Sequence, residues 1–440
     1  MMLCVWGHLP PGYIRQYLSS DEPLSLADGR RCAVADLFDY LFWRGDLSFA
    51  EVPFNDADAL ILCQLAYIDY TNVVPAAFSV NGMTLAEATK TLMELECAGS
   101  AFYKRFFTEQ TKELLLVAGQ TLRFGALRVS GCRHIIDMEK EEQFSALTFT
   151  LPDNSSFLAY SGTDAMIVGW QENFNMGWKD VVPAQTDALS YLEEAAAALR
   201  GCIRAGGHSK GGNLALYAAA HAPSEVQARL SLIWNFDGPG FKADFFDSAG
   251  YRAVAGRIRN FKPHLSVVGM LFTNSCRYSV VKSTGKGMFQ HYPLNWQVEP
   301  RGLETLPELD EASLKIGQAA NGWLNELETE QKRVFVETVF GILRQSSAET
   351  GAELASNWKV TLPNMLKALF LLEGKTRASV RRTLKCLVKH AAGKKKRVTD
   401  RRSSSGTEYG GLSPSRGRTH PQVRQCSFPP DASGGFRHSA

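Results

Sequence analysis

Five residues constrain this 440-residue chain most: Gly207-His208-Ser209-Lys210-Gly211. A short β-prone run at 202–205 precedes them, and an Ala/Leu-rich run at 213–220 follows. A strand that turns straight into a helix through G-x-S-x-G lifts the central serine to the top of a sheet, over a helix N-terminus. A Cβ at either glycine would clash in so tight a turn. The helix start offers free N–H groups and a positive partial charge to a developing oxyanion. Two other readings stand beside a nucleophile: a glycine-rich turn with an incidental serine, and a phosphate-cradling loop. The second lacks the Gly-Lys-Ser/Thr ending, because Gly211 leads into Gly212-Asn213.

The surroundings read as α/β. Residues 57–70 and 84–97 carry helical periodicity. Strand patterns follow at 126–129, 146–150, 157–160, 202–205, 230–236, 257–261 and 278–282, with helices at 186–200 and 213–220. This alternation predicts a mostly parallel sheet with helices on both faces. After about Leu303 strands are expected to stop, with helices at 310–324, 328–344, 362–372 and 379–391. Four segments result: a poorly packed leader at 1–32, an α/β domain at 33–302, a helical extension at 303–392 and a basic, disordered tail at 393–440. No apolar run is long enough for a membrane span, and the first residues do not read as a secretory signal. The nine cysteines form no C-x-x-C pair and no zinc-spaced cluster, so neither a metal site nor a disulfide framework is expected, and a reducing cytoplasm suits them.

A serine nucleophile needs a base and an acid. In this architecture they follow it in the order acid, then histidine. Of the histidines beyond Ser209, His221 ends the nucleophile helix, and His390, His420 and His438 lie in the basic helix or the tail. His291, in a loop after the 278–282 strand, is the candidate base; His264 is a weaker one. Asp237 ends the strand after the nucleophile helix, a common acid position, although Asp before Gly-Pro also suits a turn. The N–H of Lys210 supplies one oxyanion donor. Thr163, in Ser161-Gly162-Thr163-Asp164, supplies another or else caps the next helix.

Taken together, the stretches at 161–176, 206–220, 236–241, 266–272 and 280–298 resemble the Mbeg-like family of bacterial α/β-hydrolases, similar to class 3 triacylglycerol lipases. Residues 39–70 resemble that family's N-terminal helical part. The resemblance covers about 33–300. It implies an α/β-hydrolase fold, Ser209 as nucleophile, His291 as base and Thr163 in the oxyanion hole. One departure stands out. Class 3 lipases carry their acid at the end of the next strand; here 262–269 holds no acid, and Ser266 occupies the slot. Either Asp237 serves, or the site is a weakened dyad. Lys210, where lipases have a small or apolar residue, reads as a solvated side chain at a helix start, or as a preference for anionic substrates.

Net charge is +3, with residues 375–402 at +11, 403–440 at +2 and the remaining body at −10. The basic helix at 379–391 can lie on an anionic membrane surface, making the protein membrane-peripheral, or on the protein's own acidic body. No fold motif or aromatic interleaving supports nucleic-acid binding. The expected activity is that of a cofactor-free serine hydrolase acting on a carboxylic ester or thioester of an acyl lipid. The competing expectation is a catalytically silent binding or membrane-surface protein on the same fold.

Overall fold

The computed structural model describes residues 34–97, 108–163 and 167–345, together with Gly374 and Ala378. The expected leader at 1–32, the helices at 362–372 and 379–391, and the basic tail lie outside the described residues. Packing divides the chain into Met1–Ala35 and Asp36–Ala440, and every element below belongs to the second unit.

Two capped helices open the unit. α1 (Leu37–Arg44) starts at Asp36, whose carboxylate accepts the Phe38 and Asp39 N–H groups while Asp39 reaches back to the Asp36 N–H. α2 (Asp56–Leu65) repeats the device with Asn55 and Asp58. Each reciprocal pair satisfies helix-start donors that would otherwise lack partners. α2 is buried from Ala57 to Leu65, its apolar run Ala59–Cys63 flanked by the polar Asp58 before it and Gln64 after it. It is shorter than the expected 57–70 helix. At its end the N–H groups of Tyr67 and Ile68 bond three residues back, and the tightened turn ends the helix before Tyr67. α3 (Leu85–Cys97) and α4 (Glu109–Gln120) follow. Arg123, just beyond α4, makes a two-pronged pair with Asp58 at 2.7 and 2.6 Å, both side chains fully buried.

Nine strands form one sheet in the order β1-β2-β3-β4-β5-β6-β7-β8-β11. They are β1 (Met83–Thr84), β2 (Arg128–Asp137), β3 (Glu142–Thr150), β4 (Ser156–Tyr160), β5 (Ile203–His208), β6 (Leu230–Phe236), β7 (Ile258–Pro263), β8 (Ser279–Val281) and β11 (Thr305–Leu306). β9 (Val298–Glu299) and β10 (Gly302–Leu303) make a separate hairpin. The centre, β4 to β8, is parallel, as expected; antiparallel pairings extend both edges. Strands do not stop at 303, because Thr305–Leu306 pairs with the otherwise open edge of β8.

Central strands laid down in chain order, joined by right-handed crossovers, place their connecting helices on one face. Those helices include α5 (Ile167–Asn175), α6 (Pro183–Ala198), α7 (Lys210–His221), α8 (Ser224–Arg229) and α9 (Ala249–Val254). Alanines at 184, 188 and 195 in α6 and 215, 218 and 219 in α7 are fully buried, so both helices lie close to the sheet. The opposite face must be covered from elsewhere, and α2 does this by packing on β4, β5 and β6. The alternation of β5 makes the division visible. A Cβ at Gly206 would touch Cys63 of α2, whereas one at Gly207 would run into Gly211 of α7. The N-terminal helices are therefore the second layer of the domain. Beyond the sheet, α10 (Glu311–Glu326) bonds through Asn321 to the backbone of Met270 and Phe272, and α11 (Thr329–Gln345) packs Phe340 on Phe174 of α5.

Candidate active site

Ser209 sits between β5 and α7 with φ 57° and ψ −130°, a left-handed conformation that costs a non-glycine residue of the order of 1–3 kcal/mol. The turn holds it there by close backbone approach. A Cβ at Gly207 would lie 2.2 Å from the Gly211 carbonyl carbon, and one at Gly211 would lie 2.1 Å from the Tyr160 oxygen. The Ser209 N–H donates to the Phe236 carbonyl at 2.9 Å. The serine thus stands at the head of a twelve-residue helix, only 8% exposed.

Asp237 follows β6 directly, also at positive φ (52°), with its N–H on the Phe261 carbonyl at 2.7 Å. Its carboxylate is wholly buried and accepts three bonds: His291 Nδ1 at 2.6 Å on Oδ2, and Ser266 Oγ at 2.5 Å with the Gly269 N–H at 3.2 Å on Oδ1. A carboxylate only accepts, so Nδ1 carries the hydrogen and Nε2 is the basic nitrogen of His291. Gly269 is required here, since a Cβ would lie 2.3 Å from Asp237 Oδ1. Ser266, which stands where lipases have an acid, donates to the Asp237 carboxylate. Lys262, also buried nearby, has its ammonium pushed down by burial, against the pull of Asp237.

The loop after β4 touches Ser209: a Cβ at Gly162 would sit 3.0 Å from its Cβ. Thr163 Oγ1 accepts from Asn173 Nδ2 of α5 at 2.8 Å, which leaves its own hydrogen to donate. The Lys210 N–H is the first of α7. Its side chain, expected to be solvated, is 1% exposed and donates to the Gln143 carbonyl at 2.5 Å and to buried Glu172 at 2.7 Å. The reason is geometric. Side chains in the first turn of a helix point back past its N-terminus, here onto β3 and α5. Glu172 is further satisfied by the N–H groups of Gln143 and Ala184.

The structure thus brings His291 and Asp237 into contact. His264 instead uses its carbonyl to accept from Asp310 and Ser313 at the start of α10. His221 stacks on Tyr217 at the far end of α7. Sequence reasoning passed over Ser266 as a donor, Glu172, and the pair His208 and Tyr67. His208 was visible inside the G-x-S-x-G string but carried no signal of its own. Among the described residues no group of three or more His, Cys, Asp or Glu side chains could hold a metal ion, and no helix is long and apolar enough to cross a membrane.

A parallel central sheet, a strained serine between a strand and a helix, and a His–Asp pair on later loops make an α/β-hydrolase fold. A search of solved structures finds M37 lipase, 14% identical, over 48% of this chain and 68% of that one, with a TM-score of 0.31, too slight a likeness to carry an argument. No curated protein matches. A family model described as Mbeg1-like matches residues 118–341, just over half of the chain, a range that includes Ser209, Asp237 and His291. The chain belongs to the Mbeg1-like family.

Proposed function

We propose that the chain is a serine hydrolase that cleaves a carboxylic ester or thioester, with acyl lipids as the substrate class. The observation that carries this is the 2.6 Å contact of Asp237 with His291, in a fold that holds Ser209 in a strained conformation at a helix start. In this reading Ser209 Oγ attacks the acyl carbonyl carbon and its proton passes to His291 Nε2. Asp237 holds the ring and stabilises the imidazolium. The oxyanion lies between the N–H groups of Thr163 and Lys210. When the tetrahedral adduct collapses, the C–O or C–S bond breaks and the alcohol or thiol leaves with the proton from Nε2. Water then attacks the acyl-enzyme, again losing a proton to Nε2, and the acid is released with Ser209 restored.

An apolar acyl group suits the surroundings. Met288 and Phe289, on the same short turn as His291, are 70% and 74% exposed. Peripheral contact with an anionic membrane through residues 375–402, and a cytoplasmic location, remain parts of the same proposal. The test is a series of p-nitrophenyl esters and acyl thioesters of rising chain length, given to the full chain and to Ser209→Ala. Turnover by the wild type alone, rising with chain length, supports the reading. Equal rates for both proteins refute it.

A further inference from the structure

We propose that His208 is a positioning residue for the hydrolase reaction, fixing His291 through its main-chain carbonyl, with Tyr67 bonded to its other ring nitrogen. This rests on the serine hydrolase reading above. His208 Nε2 lies 2.9 Å from the His291 carbonyl oxygen. A carbonyl can only accept, so Nε2 carries a hydrogen. The other ring nitrogen, Nδ1, lies 2.9 Å from Tyr67 Oη, which also lies 3.2 Å from the His208 carbonyl. In the neutral ring Nδ1 has only a lone pair, so the single Tyr67 hydroxyl hydrogen is shared between it and the His208 carbonyl.

Burial and the neighbouring His291 both push the His208 imidazole well below its usual pKa, which keeps this neutral form through the working range. The groups that face the ring are Tyr67, His291 at 4.6 Å between ring centroids, and the edge of Trp296 at 6.5 Å. Trp296 performs the parallel task one residue earlier, its indole N–H donating to the Gln290 carbonyl at 2.7 Å. Two consecutive carbonyls of the loop are thus pinned by buried ring N–H groups. The His291 ring is then pinned at Nδ1 by Asp237. With backbone and ring both fixed, Nε2 has little freedom to move. Neutrality matters as well, because a second cation against the His291 ring would oppose the imidazolium that forms in the transition state.

The side chain therefore has to supply a neutral N–H donor at the reach of Nε2, and this can be tested by replacement. Glutamine places an amide N–H at nearly that reach; leucine fills space without donating. His208→Leu should lower kcat about tenfold, the effect of one lost hydrogen bond felt in the transition state, with KM unchanged. His208→Gln should recover most of that loss. Circular dichroism and the thermal midpoint establish that each variant is folded. Nitrogen-15 NMR of full-length Ser209→Ala should show His208 as the Nε2–H tautomer, remaining neutral as the pH is lowered through 6.

An active wild type with His208→Leu at the wild-type rate overturns the positioning role and leaves the hydrolase reading intact. A leucine variant that loses activity without rescue by glutamine, or an Nδ1–H tautomer, overturns it too. A folded wild type inert to every ester and to a fluorophosphonate overturns both readings together.

Discussion

Removing the Lys210 ammonium should expose how the serine turn is held. Lys210 and Glu172 are 1% and 0% exposed at their side chains and 2.7 Å apart. In Lys210→Met the Glu172 carboxylate keeps the N–H groups of Gln143 at 3.2 Å and Ala184 at 3.0 Å but loses its countercharge. Breaking a buried pair on one side typically costs about 3–5 kcal/mol, against a total stability of roughly 5–15 kcal/mol. Glu172→Gln leaves the opposite imbalance, a buried ammonium without a carboxylate. The double variant Lys210→Met with Glu172→Gln removes both charges. Its amide has one oxygen, so it keeps one of the two N–H groups, which sit on different carboxylate oxygens, and leaves the other unpaired at about 1–3 kcal/mol, still well under the sum of the single losses. Equilibrium unfolding in urea, followed by tryptophan fluorescence at several pH values, measures all three. A Lys210→Met loss under about 1 kcal/mol, or a double variant that costs the sum of the singles, would refute the reasoning.

Three further outcomes follow from the geometry. Ser266→Ala removes the 2.5 Å donor from Asp237 while the Gly269 N–H remains, and should slow acylation about tenfold in a stopped-flow burst assay. Gly162→Ala would place a methyl 2.1 Å from Tyr67 Oη and 3.0 Å from Ser209 Cβ, so ester turnover should be lost in a folded protein; Gly256→Ala, with nothing within 4 Å, is the silent control. Glu142, near Asp187 and Glu172, has its carboxyl pushed up to about 8, mainly by burial. Because the folded state then binds the extra proton, its contribution to stability is full below pH 4.5 and declines as pH rises towards about 8; Glu142→Gln should flatten that decline in a pH series of thermal midpoints.

What the sequence reveals and what it hides divide along chain distance. The Ser209 turn is a local object, and its glycines, strand and helix all lie within 203–221. The central strands carry enough apolar residues to be seen, and 230–236 coincides with β6. The edge strands Met83–Thr84 and Thr305–Leu306 are two residues each, below any periodicity. The side-chain network behind the serine is invisible for another reason. Lys210 meets Glu172 across 38 positions and Tyr67 meets His208 across 141, so the contact exists only once α2 and α5 are packed on opposite faces of the sheet. A lysine at a helix start looks solvated until the partner buried behind it is known. Ser266 is the same case: its place in the sequence marks a missing acid, and only the fold shows Asp237 beside it, reached from the neighbouring strand.

Labelling of the full-length protein with a fluorophosphonate, followed by peptide mass spectrometry, tests the central claim most directly. The account predicts a single adduct on the peptide that carries Ser209, absent from Ser209→Ala and strongly reduced in His291→Ala and Asp237→Asn. An adduct on another residue, or undiminished labelling of Ser209 without His291, would contradict it.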